Sequence, residues 1–163
     1  MEDGVDVLDE GDPNYDSEAD YDDDPDPAAD LEIDMSRHPH NAVAAFKNHI
    51  TLALLEYFHA GDILEVQNLI SKPKGNAPRL MHYVVKRAVL MSLDHHNRER
   101  EMVSILLSAL YGEAFAAEDM ERGFLALVTE LPDATLDVPE APGLIAKFVA
   151  RAVVDEIIPP VRL

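Results

Sequence analysis

The sequence predicts an all-α protein, a stack of six to seven helices in antiparallel hairpins that follows a disordered acidic tail. Three observations predict this fold class. From about residue 42 onward, apolar residues recur at the spacing of one helix face rather than in strict alternation. Glycines, prolines and short polar stretches divide the pattern into segments of ordinary helix length. The two valine pairs that could suggest a strand lie inside longer helical patterns, so no β-strand is expected.

Residues 1–41 are predicted to form the disordered tail, and residues 42–163 the helical domain. Residues 1–40 contain 16 acidic residues and one basic residue, whereas residues 41–163 contain 16 acidic and 12 basic residues. Most of the net charge of −19 therefore belongs to the tail. The run at residues 20–27 has almost no apolar surface to bury, so it cannot offset the roughly 1–2 kcal/mol per residue that ordering costs. Two short apolar patches, at residues 5–8 and 31–33, are either docking points or solvated, and we favour solvated.

Composition excludes several classes of protein. The chain has no Cys, so neither a disulfide framework nor thiolate chemistry is available to it. A net charge of −19 disfavours nucleic acid and anionic membranes as direct partners and favours a cationic one. The first residues are acidic, unlike a signal or transit peptide, and no run approaches the roughly 18 apolar residues of a membrane span. We expect a cytoplasmic location, with the nucleus as an open alternative.

The first two helices are predicted to form a tight hairpin. One face of the first helix carries Phe46, Ile50, Leu54, Tyr57 and Phe58. Gly61 is expected to end that helix. Asp62 and Glu65 have the spacing of a capping box, which indicates the start of the second helix. The second helix is expected to bury Ile63, Val66, Leu69 and Ile70.

The third and fourth helices follow a loop over residues 71–78. The third runs from about residue 78 to residue 93, with a stripe made of Leu80, Val84, Ala88 and Met91. A short polar connection at residues 94–97 leads to the fourth helix, and Asn97 is its predicted N-cap. The fourth helix is predicted to bury Met102, Ile105, Leu106, Ala109 and Leu110 and to end at Gly112.

The fifth helix begins with acidic residues, which suit the positive end of a helix dipole. Its predicted stripe is Met120, Phe124, Leu127 and Val128. Three prolines punctuate the following stretch, so residues 131–139 are predicted to be a tight connection with at most one helical turn. Pro142 suits the first turn of a last helix. This helix is predicted to end at Pro159 and to bury Leu144, Ile145, Phe148, Val149, Ala152, Val153 and Ile157.

Nothing in the sequence indicates catalysis. There is no phosphate-binding glycine loop and no nucleotide-binding turn. His95 and His96 are adjacent and would point apart, so they make a poor metal pair. Asp133 and Asp137 have the spacing of an acid/base pair, but nothing around them suggests a substrate pocket. We therefore predict that the chain is not an enzyme and has no catalytic residue, cofactor or metal site.

The remaining histidines and the basic residues favour ordinary surface roles. His38 and His40 lie in the acidic tail, where a weak metal site is less favoured than an accidental polar tract. His59 and His82 are predicted near the surface of helices. The basic pairs, Lys86 with Arg87 and Arg98 with Arg100, are predicted to be solvated helix faces with local ion pairs.

Four acidic residues of the helical domain are the best candidates for partner binding. Glu56, Asp94, Asp133 and Asp137 occupy predicted helix ends or connections, which a rigid scaffold holds and a partner can reach. Taken singly, each is better explained as a solvated charge or a helix cap.

Five segments together resemble a known family. In order they are Glu56-Tyr57-Phe58-x-x-Gly61-Asp62; Arg100-Glu101-Met102-x-x-x-Leu106-Leu107-Ser108-Ala109-Leu110-Tyr111-Gly112; Gly123-Phe124-x-x-Leu127; Leu136-Asp137-Val138-Pro139-x-Ala141-Pro142; and Phe148-x-Ala150-Arg151-Ala152-Val153-Val154-Asp155-x-Ile157-x-Pro159-Pro160. Over about residues 43–163 the chain resembles the MI domain, also written MA-3. That domain occurs in programmed cell death protein 4, in plant and algal multi-copy proteins and in the gamma scaffold of the cap-binding initiation complex.

The resemblance implies a HEAT-like fold and a partner, the RecA-like DEAD-box helicase initiation factor 4A. In the death-protein branch the domain clamps the helicase, inhibits RNA unwinding and represses translation. In the initiation factor 4 gamma branch it supports the helicase, so a scaffold or adaptor that holds the helicase or another protein is the alternative function. The family's helicase contacts match Glu56, Asp94, Asp133 and Asp137, with relatives able to carry Glu at two of these positions. No obligate homo-oligomer is expected.

The acidic leader resembles that of the plant and algal relatives. Its Tyr15-Asp16-Ser17-Glu18 segment differs from the basic, RNA-binding leader of the animal death protein. The acidic sequence around Ser17 also predicts a phosphorylation site for an acid-directed kinase. The sequence contains one copy of the domain, so we expect either a fragment of a multi-copy protein or a single-copy protein that binds more weakly for want of a linked second module.

Overall fold

A computed structural model describes residues 40–71 and 80–159, and within these ranges the chain is all-helical with no strand, as predicted. The predicted tail, apart from its last residues, and most of the predicted loop over residues 71–78 lie outside the described residues, which also leave out residue 79. His38, in the tail, is therefore not described either. The helices, numbered in chain order, are α1 (His40–Ala60), α2 (Ile63–Ser71), α3 (Met81–Leu93), α4 (Asn97–Leu110), α5 (Ala117–Asp137) and α6 (Ala141–Val154). None of them is both long enough and apolar enough to cross a membrane.

The α1–α2 hairpin has the predicted turn. Gly61 adopts a positive φ of 74° and donates its N–H to the Tyr57 carbonyl at 2.7 Å, which ends α1. The Asp62 carboxylate then accepts the backbone N–H of Glu65 at 3.1 Å and caps α2. All five apolar residues predicted for the inner face of α1 are buried.

Helix α3 is the centre of the domain. It packs most extensively against α5 and also contacts α1, α4 and α6. Because helices cover it on several sides, even Lys86 and His82 are buried, with exposed fractions of 1% and 3%. The predictions of a solvated Lys86 and a surface His82 are therefore wrong. The Lys86 ammonium forms an ion pair with Glu130 of α5, and its Nζ lies 5.6 Å from the centre of the Tyr83 ring.

Helix α5 continues through the stretch that was predicted to be a connection. Residues 131–137 are helical, with Pro132 inside the helix. Pro132 removes one backbone hydrogen bond, but it lies on the exposed face, where water can satisfy the Val128 carbonyl. Leu131 and Ala134 pack against the core on the other side. Packing therefore outweighs the local signal of the proline.

The apolar stripe of α4 is displaced from the predicted one. Its buried residues are Val103, Leu106, Leu107 and Leu110, a complete i, i+3, i+4, i+7 set. Ile105 and Ala109 are exposed instead. Val128 of α5, predicted to be buried, is likewise 55% exposed. The other three residues predicted for α5 are buried, so its face is confirmed apart from Val128, whereas for α4 the core lies towards a neighbouring face, because its direction depends on the other helices.

Two helix ends also differ from prediction. His96 rather than Asn97 occupies the N-cap of α4, and the Glu99 carboxylate accepts its backbone N–H at 3.1 Å. Helix α6 ends at Val154, five residues before Pro159. There the chain turns back at Glu156, with a φ of 58°, and Ile157 is buried beyond the helix end. Pro142 lies in the first turn of α6, as predicted.

Candidate protein-binding site

An open groove of about 520 Å³ lies where α1, the C-terminal half of α3 and the C-terminal half of α5 meet. We call it the acidic groove. The residues that line it are Thr51, Leu55, Arg87, Leu90, Met91, Leu93, Asp94, His95, Glu130, Asp133, Ala134, Asp137 and Val138. Three of the four acidic residues singled out from the sequence are among them.

The continuation of α5 brings two of these acids together. Asp133 and Asp137 are four residues apart on one helix and are both exposed, so they project from the same face. Asp94 reaches the groove from the end of α3, where it is the C-cap residue. These carboxylates form no ion pair with any residue in the described ranges. Their charges are therefore available to a partner.

Sequence reasoning missed Glu130. It lines the same groove one turn before Asp133, and its carboxylate is held by the buried Lys86. The helical spacing of residues 130, 133 and 137 is the signal that could have found it, but the predicted break at Pro132 obscured that spacing.

Glu56 lies beside the groove rather than within its lining. It is exposed near the C-terminal end of α1, and its neighbour Leu55 is the α1 residue that enters the groove nearby. The structure thus brings Asp94, Asp133 and Asp137 together and places Glu56 on one of the helices that form the wall.

The acidic groove also contains one guanidinium and an apolar floor. Arg87 is half-buried, and its Nε donates to the Thr51 hydroxyl at 3.3 Å. Leu90 and Met91 are half-buried, and Leu55 is 46% exposed. Apolar surface of this kind excludes water from nearby charge pairs once a partner is bound, which strengthens them.

Hydrogen bonds from two side chains join α1, one wall of the acidic groove, to the neighbouring helix α4. Tyr57 of α1 donates its hydroxyl to the Met102 carbonyl of α4 at 2.9 Å, and burial raises the pKa of this phenol. Arg98 of α4 donates to the Phe58 carbonyl at 3.2 Å near the C-terminal end of α1. Burial, with smaller effects of the nearby Arg122 and Lys86 and an opposing effect of Asp119, lowers the pKa of His82 to about 4. The groove walls are therefore parts of one packed unit.

The described residues contain no group of three or more His, Cys, Asp or Glu side chains that could hold a metal ion. The fold and the site define a class of protein, a helical-hairpin scaffold with an open groove rimmed by carboxylates. Comparison with known proteins agrees with this class, since the model of the MA3 domain family matches residues 46–159. The chain belongs to the MA3 domain family, which confirms the resemblance drawn from its five sequence segments.

The relatives include plant proteins named as translation regulatory factors. The chain is 37% identical to MA3 domain-containing translation regulatory factor 1 of Arabidopsis thaliana over 162 residues, which cover 99% of this chain and 22% of the relative. It is 37% identical to factor 2 of the same plant over 85% of this chain and 18% of the relative. It is 38% identical to human programmed cell death protein 4 over 70% of this chain and 24% of the relative. The chain thus spans about a quarter or less of the length of these relatives.

Proposed function

We propose that this chain regulates translation by binding the DEAD-box helicase initiation factor 4A through the acidic groove and Glu56, and that binding inhibits RNA unwinding. The observation that carries the proposal is the convergence of Asp94, Asp133 and Asp137 on one open groove without ion pairs among the described residues. A site of this charge fits a partner that presents Arg and Lys side chains.

A helicase that binds RNA supplies such side chains, since cationic residues neutralise the phosphates of nucleic acids. When the groove carboxylates pair with these cations, the cations are no longer free to contact RNA, and this supports inhibition. The family itself supports the choice of partner, because the resemblance to the MI domain implies this helicase. The names of the matched relatives, translation regulatory factor and programmed cell death protein, favour a regulator over a supporting scaffold.

The test is a binding titration of purified initiation factor 4A with the chain and with the double variant Asp133→Lys/Asp137→Lys. Loss of one desolvated charge pair costs about 2–5 kcal/mol, so the double variant should bind at least about 30-fold more weakly. The matched control is Glu113→Lys/Glu156→Lys, which makes the same charge change at exposed positions outside the groove. Equal loss in both variants would contradict the assigned site, and no binding by the parent chain would contradict the partner.

An unwinding assay distinguishes inhibition of the helicase from support of the helicase. Helicase unwinding of a short RNA duplex should slow as the chain is added, and the Asp133→Lys/Asp137→Lys variant should lose this effect. Faster unwinding in the presence of the parent chain would instead support the alternative, a scaffold of the initiation factor 4 gamma type.

A further inference from the structure

A second groove, of about 320 Å³, lies between α4 and α6. We call it the basic groove. The residues that line it are Asn97, Arg100, Glu101, Ser104, Leu144, Lys147, Phe148 and Arg151. None of these residues belongs to the acidic groove.

The basic groove contains positive charge that the fold does not neutralise. Arg151 is shared between Glu101, at 3.2 Å, and Asp155, at 3.0 Å, so these three groups together carry a charge of −1, and with Arg100 and Lys147 the described charges in and beside the groove sum to +1. Among the described residues, Arg100 donates to neutral acceptors alone, the His95 carbonyl at 2.5 Å and the Asn97 side-chain oxygen at 2.6 Å. Lys147 is exposed and makes no ion pair or hydrogen bond within the described part of the chain. Two cationic side chains therefore face one groove without a carboxylate partner in residues 40–71 and 80–159.

The acidic leader of the same chain has the complementary charge. Residues 1–40 have a net charge of −15, and residues 20–27 contain five aspartates and no basic residue. Attachment to the same chain also gives the leader a high effective concentration at any site within its reach. An acidic segment from another protein has no such advantage.

The leader is long enough to reach the basic groove. It joins the domain at the start of α1, whereas the start of α4 adjoins the other end of α1, where Arg98 contacts the Phe58 carbonyl. At about 1.5 Å per residue, α1 is roughly 31 Å long. The twelve residues from 28 to 39 can span about 40 Å when extended. The aspartate run can therefore lie beside α4.

We propose that residues 20–27 of the leader dock in the basic groove, with their aspartates paired to Arg100 and Lys147. This contact is weak in isolation and is sensitive to salt, because exposed charge pairs are screened within about 10 Å at 0.1 M ionic strength. The contact forms within one chain and requires neither the helicase nor the acidic groove.

The test uses the full chain and its lack of cysteine. A nitroxide spin label attached at Ala28→Cys is the only thiol-linked probe in the molecule. We expect the label to broaden the amide NMR signals of Ser104, Leu144 and Lys147, and we expect high salt to remove the broadening. Lys147→Glu should also remove it, since the substitution reverses one of the two proposed docking charges and breaks no ion pair or hydrogen bond among the described residues. The control Arg122→Glu makes the same charge change at an exposed position of α5 outside the basic groove and should leave the broadening in place.

Three results would overturn the proposal. The first is the absence of broadening around the basic groove. The second is an equal effect of Lys147→Glu and Arg122→Glu, which would indicate general repulsion rather than a docking site. The third is broadening of an isotope-labelled chain by a spin-labelled second chain, which would indicate contact between molecules. Because no helicase is present in the experiment, none of these results bears on the proposed function.

Discussion

Gly123 of α5 lies so close to Val85 of α3 that a Cβ atom on the glycine would be 2.7 Å from the Val85 Cβ. The same atom would be 2.9 Å from the His82 carbonyl oxygen, which belongs to the α3 backbone. A contact this short leaves no room for any side chain at position 123. The absence of a side chain there lets α3 and α5 approach closely, and α5 carries three of the carboxylates of the acidic groove.

The first prediction concerns this crossing. Gly123→Ala should lower the free energy of unfolding by about 1–3 kcal/mol, since overpacking forces the two helices apart. Urea denaturation measures the change. The matched control is Gly143→Ala in α6, where a Cβ would meet nothing within 4 Å. That substitution should stabilise the domain by about 0.5–1 kcal/mol through helix propensity. Equal effects at the two glycines would contradict the close approach.

The second prediction concerns the buried ion pair between Lys86 and Glu130. Glu130→Leu leaves the ammonium buried without its carboxylate and should cost about 3–5 kcal/mol of stability. The double variant Lys86→Met/Glu130→Leu replaces both charges by apolar groups and should recover most of that loss. A double-mutant cycle measured by urea denaturation gives the coupling free energy between the Lys86 and Glu130 side chains. Additive effects of the two substitutions would show that the pair is not coupled.

The third prediction concerns pH. The pKa of His82 is about 4 in the folded protein, compared with the ordinary value of 6.5 expected in the unfolded chain. Between these two pH values, His82 is therefore protonated in the unfolded chain and neutral in the folded one. Stability should therefore fall as the pH is lowered through this window, by up to about 3 kcal/mol. His82→Gln should remove this part of the dependence. The control is the same substitution at the exposed His59. The same slope in His82→Gln and the parent would contradict the assignment.

The sequence predicted those features that depend on local signals. The inner face of α1 and the turn at Gly61 follow from spacing and from the conformational freedom of glycine, and both are confirmed. Features set by contacts distant in sequence were missed. The burial of Lys86 depends on the helices that surround α3, and the helical conformation at Pro132 depends on core packing by its neighbours. The acidic groove is of both kinds. Asp94, Asp133 and Asp137 were singled out from the sequence, whereas their meeting in one groove depends on the packing of α3 against α5.

The fourth prediction concerns Ser17, which lies outside the described residues. An acid-directed kinase should phosphorylate the purified chain at this position and add about −1.5 to −2 charge to the leader. Mass spectrometry locates the phosphate. Ser17→Ala should abolish the modification, whereas Ser36→Ala should retain it. Modification at another serine in place of Ser17 would contradict the prediction.

The last prediction rests on the proposed function and concerns Arg87, the guanidinium in the acidic groove. Its positive charge opposes the approach of a cationic partner, so Arg87→Gln should raise the association rate with initiation factor 4A. The increase should be largest at low salt and should shrink as screening grows. Stopped-flow measurements over a range of salt concentrations give the association rates of the parent chain and of Arg87→Gln. Arg122→Gln removes the same charge on α5 away from the groove and should change the rate less. A slower association of Arg87→Gln would mean that Arg87 itself contacts the partner.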